Sequence, residues 1–434
     1  MTRLADRRAA LLSLQAEKLR RLLARCEANP FYRPRLEQAG LRSDNLRSVC
    51  DLRRFDPVEK QDILDDQGSL PPFGARLGIG VDEIREVHLT SGTTGLGQEA
   101  MALDAEDVEA SGATWLPTFT AAGLTPGDLF ATFYPATLFA YGRSVLTGGR
   151  VAGVPVVSMA GLDRSVSLEL LRRIQPKALG ARPALFGLLA EELATEGTTP
   201  AAAFPALRSI ITSGLSGSQA MALQETWGVV PHEVYGMSQA AGIIAGTGSE
   251  GAVPGGVPGV MRCIERQFIV EAVHPETLDP VEEGEAELLL TCLDRVASPI
   301  LRFRTHDRVD VVPPGSYGDD TPLLGLRVGS IGRWDDMVKL RGNNVWPGQL
   351  DEALLGDPGV LDYRAEVVVD ARGVEQLLVV VRPDDATGSG VDAHAAILSR
   401  RVKARTNVRP SISFDPSLAV PDLKPKRLVD RRRG

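Results

Sequence analysis

The chain has 434 residues, of which 43% are hydrophobic and 24% charged, a globular composition. Its 48 basic and 56 acidic side chains give a net charge of −8, which argues against a nucleic-acid partner. The length exceeds one ordinary core and predicts two or three domains. In chain order, the opening Met1-Thr-Arg-Leu-Ala-Asp-Arg-Arg carries charge where a secretion signal needs an apolar stretch. No run approaches the roughly 18 apolar residues of a membrane span. Cys26, Cys50, Cys263 and Cys292 stand singly, without zinc or disulfide spacing. A cytoplasmic protein with no membrane contact is expected.

Leu11, Leu12, Leu14, Leu19, Leu22 and Leu23 recur at helical spacing and predict a helix over 9–27, ended by Pro30. A short helix from Pro34 to Ala39 stops at Gly40. The β-prone Val87-His88-Leu89 then feeds Thr90-Ser91-Gly92-Thr93-Thr94-Gly95, six residues of hydroxyls and glycines. Glycine lets such a loop turn its backbone N–H groups onto a ligand, and with the hydroxyls they form an anion cradle. A polar surface turn is the alternative.

A helix over 104–122 leads to a strand at 129–134, and Tyr134, Phe139 and Tyr141 cluster before Gly142. Further strands are expected at 154–157, 178–183 and 209–212, alternating with helices over 167–174, 184–194 and 218–227. That alternation predicts parallel βαβ units, whose ligands bind at the carboxyl ends of the strands. The loops Thr90–Gly95, Tyr134–Tyr141 and Ser213–Ser216 should share that edge. From about 245 short strands appear at 268–273, 285–291 and 299–304 between turn residues, which suggests a small antiparallel barrel. Gly246-x-Gly248-x-x-Gly251 matches the dinucleotide fingerprint literally, but no strand feeds it and Pro254 stands where its helix should begin. Residues 329–343 suit a boundary. Beyond them a helix at 347–355, strands at 364–370 and 376–382, a helix at 392–405 and a strand at 411–414 form a separate α+β pattern.

Four later segments join the hexamer in a recognisable order. They are Tyr235-Gly236-Met237-Ser238-Gln239, Arg302-Phe-Arg-Thr-His-Asp307, Gly332-Arg333-Trp334-Asp335-Asp336 and Leu423-Lys424-Pro425-Lys426-Arg427. The set resembles the motifs of the adenylate-forming superfamily of acyl-CoA synthetases, nonribosomal-peptide adenylation domains and luciferases. With Asn29-Pro-Phe-Tyr-Arg-Pro near the start, the likeness is greatest to the phenylacetate–CoA ligase family and runs almost to the last residue.

The resemblance implies an α/β enzyme with two domains. Residues 1–334 would form a large adenylating domain, with a helical arm at about 1–75, mostly parallel sheets and a β-barrel-like part at about 260–330. Residues 335–434 would form a small mobile α+β lid. Ser91, Gly92, Thr93, Thr94 and Gly95 would hold the nucleotide phosphates, with Thr93 catalytic. Ser213, Gly214, Leu215 and Ser216 would line the nucleotide site with Tyr235, Gly236, Met237 and Ser238. Asp307 would accept both ribose hydroxyls, as an acceptor-only carboxylate can. Arg333 would touch the nucleotide and assist catalysis, Asp335 would be the hinge, and Lys424 the catalytic lysine, with Lys426 as the alternative. The loop from Gly342 to Pro347 would line the thiol tunnel.

Three positions depart from the pattern. Gln239 replaces a glutamate that helps hold Mg²⁺, and an amide is a weaker ligand for a hard cation. Leu96 stands where many members carry lysine, and Leu423 replaces a glycine. By position Tyr134, Phe139, Tyr141, Gly214, Leu215 and Met237 would wall the acyl pocket. Aromatic walls suggest a flat aryl acid, although each ring equally suits plain packing. The expected chemistry is ATP- and Mg²⁺-dependent activation of an aromatic acid as an acyl-adenylate, with transfer to coenzyme A. A nitrogen acceptor, nitrite as the activated acid, or a non-catalytic nucleotide-binding relative are the alternatives. A homodimer is expected.

Overall fold

The computed structural model describes residues 2–90, 97–318, 321–370, 374–384, 391–419 and 426–432. The N-terminal arm comprises helices α1 (Thr2–Cys26), α2 (Arg33–Gln38) and α3 (Lys60–Ser69). A two-stranded antiparallel sheet, β1 (Glu86–Leu89) with β2 (Ala100–Leu103), brackets the hexamer, of which Thr90 is described and Ser91–Gly95 lie outside the described residues. There follow α4 (Ala105–Ala113), α5 (Leu116–Ala121), β3 (Phe130–Thr132), α6 (Ala140–Ala152), β4 (Val156–Ser158), α7 (Arg164–Ile174) and β5 (Ala178–Gly180). Next come α8 (Pro183–Thr195), α9 (Pro200–Ala203), β6 (Ser209–Thr212), α10 (Gly217–Trp227) and β7 (Val230–Met237). The strands β8 (Gly242–Thr247), β9 (Val260–Cys263), β10 (Phe268–Val273), β11 (Gly284–Cys292), β12 (Phe303–Val312), β13 (Gly325–Arg327) and β14 (Gly332–Arg333) complete this part.

One sheet of 12 strands organises it, in the order β10-β11-β12-β13-β9-β8-β7-β6-β5-β3-β4, with β14 added to β12. The strands from β7 to β4 are parallel, as the βαβ alternation predicts. From β7 onward the pairing is antiparallel. The antiparallel strands expected to form a small barrel therefore continue the parallel sheet as its other half. Strand β7 is the joint, paired with β6 on one side and β8 on the other.

The main core of this part is a hydrophobic cluster that runs from Leu19 to Val328, with a small second cluster at Leu103, Ala140 and Ala241. Trp227 packs edge-on to Phe186 and flat against Phe204, fixing α10 beside α8. Each such fully buried ring contributes on the order of 1.5–3 kcal/mol. The C-terminal part has its own core, from Val338 to Leu428. It contains β15 (Val338–Leu340), β16 (Asn343–Val345), α11 (Pro347–Leu354), β17 (Val360–Val369), β18 (Glu375–Pro383), α12 (Val391–Thr406), β19 (Ser411–Phe414) and β20 (Leu428–Asp430). Four of these strands make the sheet β19-β18-β17-β20.

Two expected elements differ in ways that physics explains. The helix over 104–122 is two helices. The Pro117 ring would meet the carbonyl of residue 113, four positions back, so α4 ends at Ala113 and α5 restarts with proline in its first turn. The strand expected at 299–304 begins only at Phe303, because Arg302 sits at φ +47°. Its guanidinium is buried against Glu271 and the carbonyls of Arg53 and Phe55. In addition, α1 starts at Thr2, ahead of the expected residue 9.

Candidate active site

Strand β12 carries the Arg-Phe-Arg-Thr-His-Asp segment, and the segment breaks the ladder. Arg304 pairs with Leu289 and Arg308 with Glu287, so four steps along β12 match two along β11. His306 takes φ +56° inside this bulge. The Thr305 hydroxyl fills it, donating to Leu288 O at 2.8 Å and accepting the Asp307 N–H at 3.0 Å. A bulge re-aims the side chains that follow it. Here it holds Asp307, 8% exposed, opposite Arg333 of β14.

Asp307 is the centre of the site. Tyr235 Oη donates to its Oδ2 at 2.5 Å, and Arg333 Nη1 stands 3.5 Å from its Oδ1. Burial, then the Asp307 charge, hold the Tyr235 phenol well above its ordinary pKa, so it stays a donor. At Gly236 the strand bulges again, and a Cβ there would lie 2.5 Å from Gly242 O, which restricts the position to glycine. His306 bonds Glu59 at 2.7 Å, tying β12 to the residue that precedes α3.

The sequence reading missed two charged groups here. Gln239 is buried, and its Nε2 donates to Glu99 Oε1 at 2.7 Å. Glu99 is fully buried and flanks the hexamer: its N–H donates to Thr90 Oγ1 at 2.9 Å and its carbonyl accepts the Thr90 N–H at 3.0 Å. Burial pushes the Glu99 carboxyl above its usual range, against the pull of Arg76, the Gln239 hydrogen bond and Lys60. Lys60, the first residue of α3, has its pKa lowered by burial, raised by Glu99 and lowered by Arg333. Its charge is thus within electrostatic reach of both Glu99 and Arg333. No spacing or motif marks either residue, since both arrive from chain distant from the motifs they join.

Tyr134, Phe139 and Tyr141 lie on the parallel half of the sheet. Tyr134 follows β3, and its hydroxyl donates to Ala181 O at 3.0 Å and lies 3.3 Å from Ser213 Oγ. It so links the loops after β3, β5 and β6. The Tyr134 and Tyr141 ring centroids are 4.1 Å apart, and Tyr141 packs edge-on to Trp115 at 5.0 Å. Phe139 caps α6 half-buried, and Leu89 N donates to Leu138 O at 2.9 Å, which brings the end of β1 to the same loop. Gly214 is exposed at φ +73°, Leu215 is buried, and Met237 and Ser238 are half-buried at the end of β7.

Ser216 stands at the start of α10. Its hydroxyl caps α10, accepting the Gln219 N–H at 3.1 Å while Gln219 Oε1 accepts its own N–H. Behind this loop Glu233, 1% exposed, accepts the N–H of Leu215 at 3.0 Å and of Gly329 at 3.3 Å. Burial pushes its carboxyl up to about 8, against these backbone hydrogen bonds.

The C-terminal part reaches the same edge. Glu352 of α11 accepts from Ser218 N at 3.2 Å, and its carbonyl accepts from Ser218 Oγ at 3.0 Å, at the start of α10. Arg308 lies over the Trp346 ring at 5.0 Å, and Trp334 packs edge-on to Trp346. Asp335 lies in the single helical turn Trp334–Asp336 after β14. Lys424 lies outside the described residues, as do Ser91, Gly92, Thr93, Thr94 and Gly95. Lys426 is exposed. Arg427 anchors the segment, with Nε bonded to Asp362 at 2.7 Å and Nη1 3.5 Å from Asp351.

No protein-family model matches the chain. The phenylacetate-coenzyme A ligase of Thermus thermophilus is 30% identical over 376 residues, spanning 83% of this chain and 79% of the relative. The chain belongs to the phenylacetate–CoA ligase family. The Escherichia coli member is 29% identical over 360 residues, spanning 80% of this chain and 76% of its own. Among solved structures, a 2-hydroxyisobutyryl-CoA ligase in the postadenylation state gives a TM-score of 0.87 at 23% identity, over 99% of this chain and 90% of that one. An anthranilate CoA ligase with anthranoyl-AMP gives 0.63 at 17%, over 95% and 79%. These likenesses show the fold. In this member of the phenylacetate–CoA ligase family, three motif segments, at 235–239, 302–307 and 332–336, meet in one hydrogen-bonded cluster.

Proposed function

We propose that the chain activates an aromatic carboxylic acid with ATP and passes the acyl group to coenzyme A. The acid's carboxylate oxygen attacks the α-phosphorus, the bond to the bridging oxygen breaks, and pyrophosphate leaves. The thiol of CoA then attacks the acyl carbon, loses its proton, and AMP leaves. Family membership carries the reaction class. The Tyr235–Asp307–Arg333 cluster is the observation that carries the nucleotide site.

In this reading Asp307 accepts the ribose hydroxyls. Its ionised form accepts hydrogen bonds and donates none, which suits two hydroxyl donors. Arg333 and Lys60 face developing phosphate charge, so Lys60 offers the cation that Leu96 does not. The residues Ser91–Gly95, with Thr93 foremost, cradle phosphates beside Glu99. Lys424 is the acid–phosphate bridge, and Arg427 fixes the chain three residues on. Asp335 is the pivot between a body of 1–334 and a lid of 335–434. Tyr134, Phe139, Tyr141, Gly214 and Met237 wall the acyl pocket, and the paired tyrosine rings favour a flat aryl acid.

Among the described residues no group of three His, Cys, Asp or Glu side chains is placed to hold a metal. The donors nearest the motif position are the Gln239 amide and the Glu99 carboxylate, whose Oε2 is buried without a partner among the described residues. Oxygen donors suit Mg²⁺, which when bound would neutralise phosphate charge. A cytoplasmic homodimer fits the composition and the family. Among the described residues no helix is long and apolar enough to cross a membrane. Release of pyrophosphate with ATP and a panel of aryl acids, with and without CoA, an amine or nitrite, tests the reading and its rivals.

A further inference from the structure

The Gln239–Glu99 bond does more than fill a gap in a motif. The Gln239 amide turns its NH₂ toward Glu99 Oε1 at 2.7 Å, which leaves its own oxygen directed elsewhere. Among the described residues nothing donates a hydrogen bond to that oxygen. The Gln239 backbone is held as well, its carbonyl accepting from Arg295 Nη2 at 3.2 Å. Glu99 is held by its two backbone bonds to Thr90, at the root of the hexamer. Its cationic neighbours are Arg76 and Lys60, and Lys60 also faces Arg333. Glu99 Oε2, which has no hydrogen-bond partner among the described residues, and the Gln239 amide oxygen thus stand in series at the edge where the nucleotide phosphates are proposed to lie.

We propose that Glu99 and Gln239 act as one divided ligand for the nucleotide's Mg²⁺: Gln239 offers its amide oxygen to the ion, and Glu99 supplies the negative charge behind it. Carboxylates behind a ligand orient it and raise its basicity. Glu99 is then a positioning residue, and the substitution of glutamine for glutamate at 239 moves the charge one hydrogen bond back without removing it. A purely structural Glu99, serving only as counter-charge to buried Arg76, would give the metal nothing. The proposal rests on the ATP-dependent reading above.

The test uses the full chain, Mn²⁺ as the spectroscopic probe and α,β-methylene-ATP as the nucleotide. Electron paramagnetic resonance gives the Mn²⁺ affinity of the enzyme–nucleotide complex for the wild type, Glu99→Gln, Gln239→Leu and the exchanged pair Glu99→Gln/Gln239→Glu. Both single variants should weaken Mn²⁺ by about 10-fold or more, and the exchanged pair should return to within about twofold of wild type. Metal-free nucleotide affinity should be the same in all four. Unchanged Mn²⁺ affinity in Glu99→Gln, or an exchanged pair as weak as the singles, would overturn the proposal. If Glu99→Gln does not fold, Gln239→Leu decides, and wild-type affinity there overturns it. A wild type that binds Mn²⁺ and nucleotide but releases no pyrophosphate with any acid would instead overturn the adenylation reading.

Discussion

The phenol of Tyr235 donates to the Asp307 carboxylate at 2.5 Å, across 72 residues of chain, and so ties β7 to the bulged strand β12. This contact joins two motifs into one surface around an acceptor carboxylate, with Arg333 Nη1 3.5 Å from its other oxygen. Asp307→Asn should weaken ATP by about 1.5–3 kcal/mol, the worth of hydrogen bonds to a charged group. Tyr235→Phe keeps the carboxylate and should cost about 1 kcal/mol. Calorimetric titration of ATP checks both. An unchanged dissociation constant in Asp307→Asn would remove the ribose assignment.

Arg427 should be the anchor of the terminal segment. Its partner Asp362 has only 3% of its side chain exposed. Arg427→Ala would leave that carboxylate buried and unpaired, at a cost of about 3–5 kcal/mol. Denaturant unfolding measures this, and a loss under about 1 kcal/mol would mean that solvent reaches Asp362. Adenylation should fall more than thiol transfer, because the anchor precedes β20 and follows Lys424.

Glu233 gives the protein a pH dependence of definite sign. Its folded pKa is raised to about 8 from an ordinary 4.5. Between these values the folded state keeps a proton that the unfolded state has lost. Stability therefore falls as pH rises from 4.5 to 8, by up to about 1.4 kcal/mol per unit. Glu233→Gln is neutral throughout and should flatten that slope. Urea midpoints at pH 5, 6, 7 and 8 decide it, and parallel profiles for the two proteins would show Glu233 ionised in the fold.

Lys424 and Asp335 should separate the two half-reactions. A lysine on the lid reaches phosphate in one lid orientation only, and a hinge absorbs the φ/ψ change between orientations. Lys424→Ala should abolish adenylation and spare transfer from pre-formed acyl-adenylate. Asp335→Pro, with φ held near −65°, should spare adenylation and block transfer. Equal slowing of both steps in Lys424→Ala contradicts the alternating lid. A selective loss in Lys426→Ala instead moves the catalytic lysine two residues on.

Much of the fold was legible because its signals are local. Strands at 268–273 and 411–414 are bounded by turn residues and fall where expected. The parallel half followed from strands alternating with helices. What was illegible depends on distant partners. The left-handed turn at Arg302 is held by Glu271 and by carbonyls near residue 54, and nothing in Pro-Ile-Leu-Arg announces it. The continuity of the sheet through β7 needed the pairing with β8, a strand hidden in a Gly- and Ala-rich run. In the site, Asp307, Arg333 and Tyr235 were found through motifs, whereas Glu99 meets Gln239 across 140 residues and belongs to no motif.

The most direct test of the central claim is acid-dependent exchange of labelled pyrophosphate into ATP, run with phenylacetate and related aryl acids. Exchange needs a reversible acyl-adenylate and requires neither CoA nor thiol transfer. The account predicts exchange that depends on the acid and on Mg²⁺, is lost in Lys424→Ala, and gives way to AMP and an acyl-CoA thioester when CoA is added. Tight ATP binding with no exchange for any carboxylic acid would contradict it.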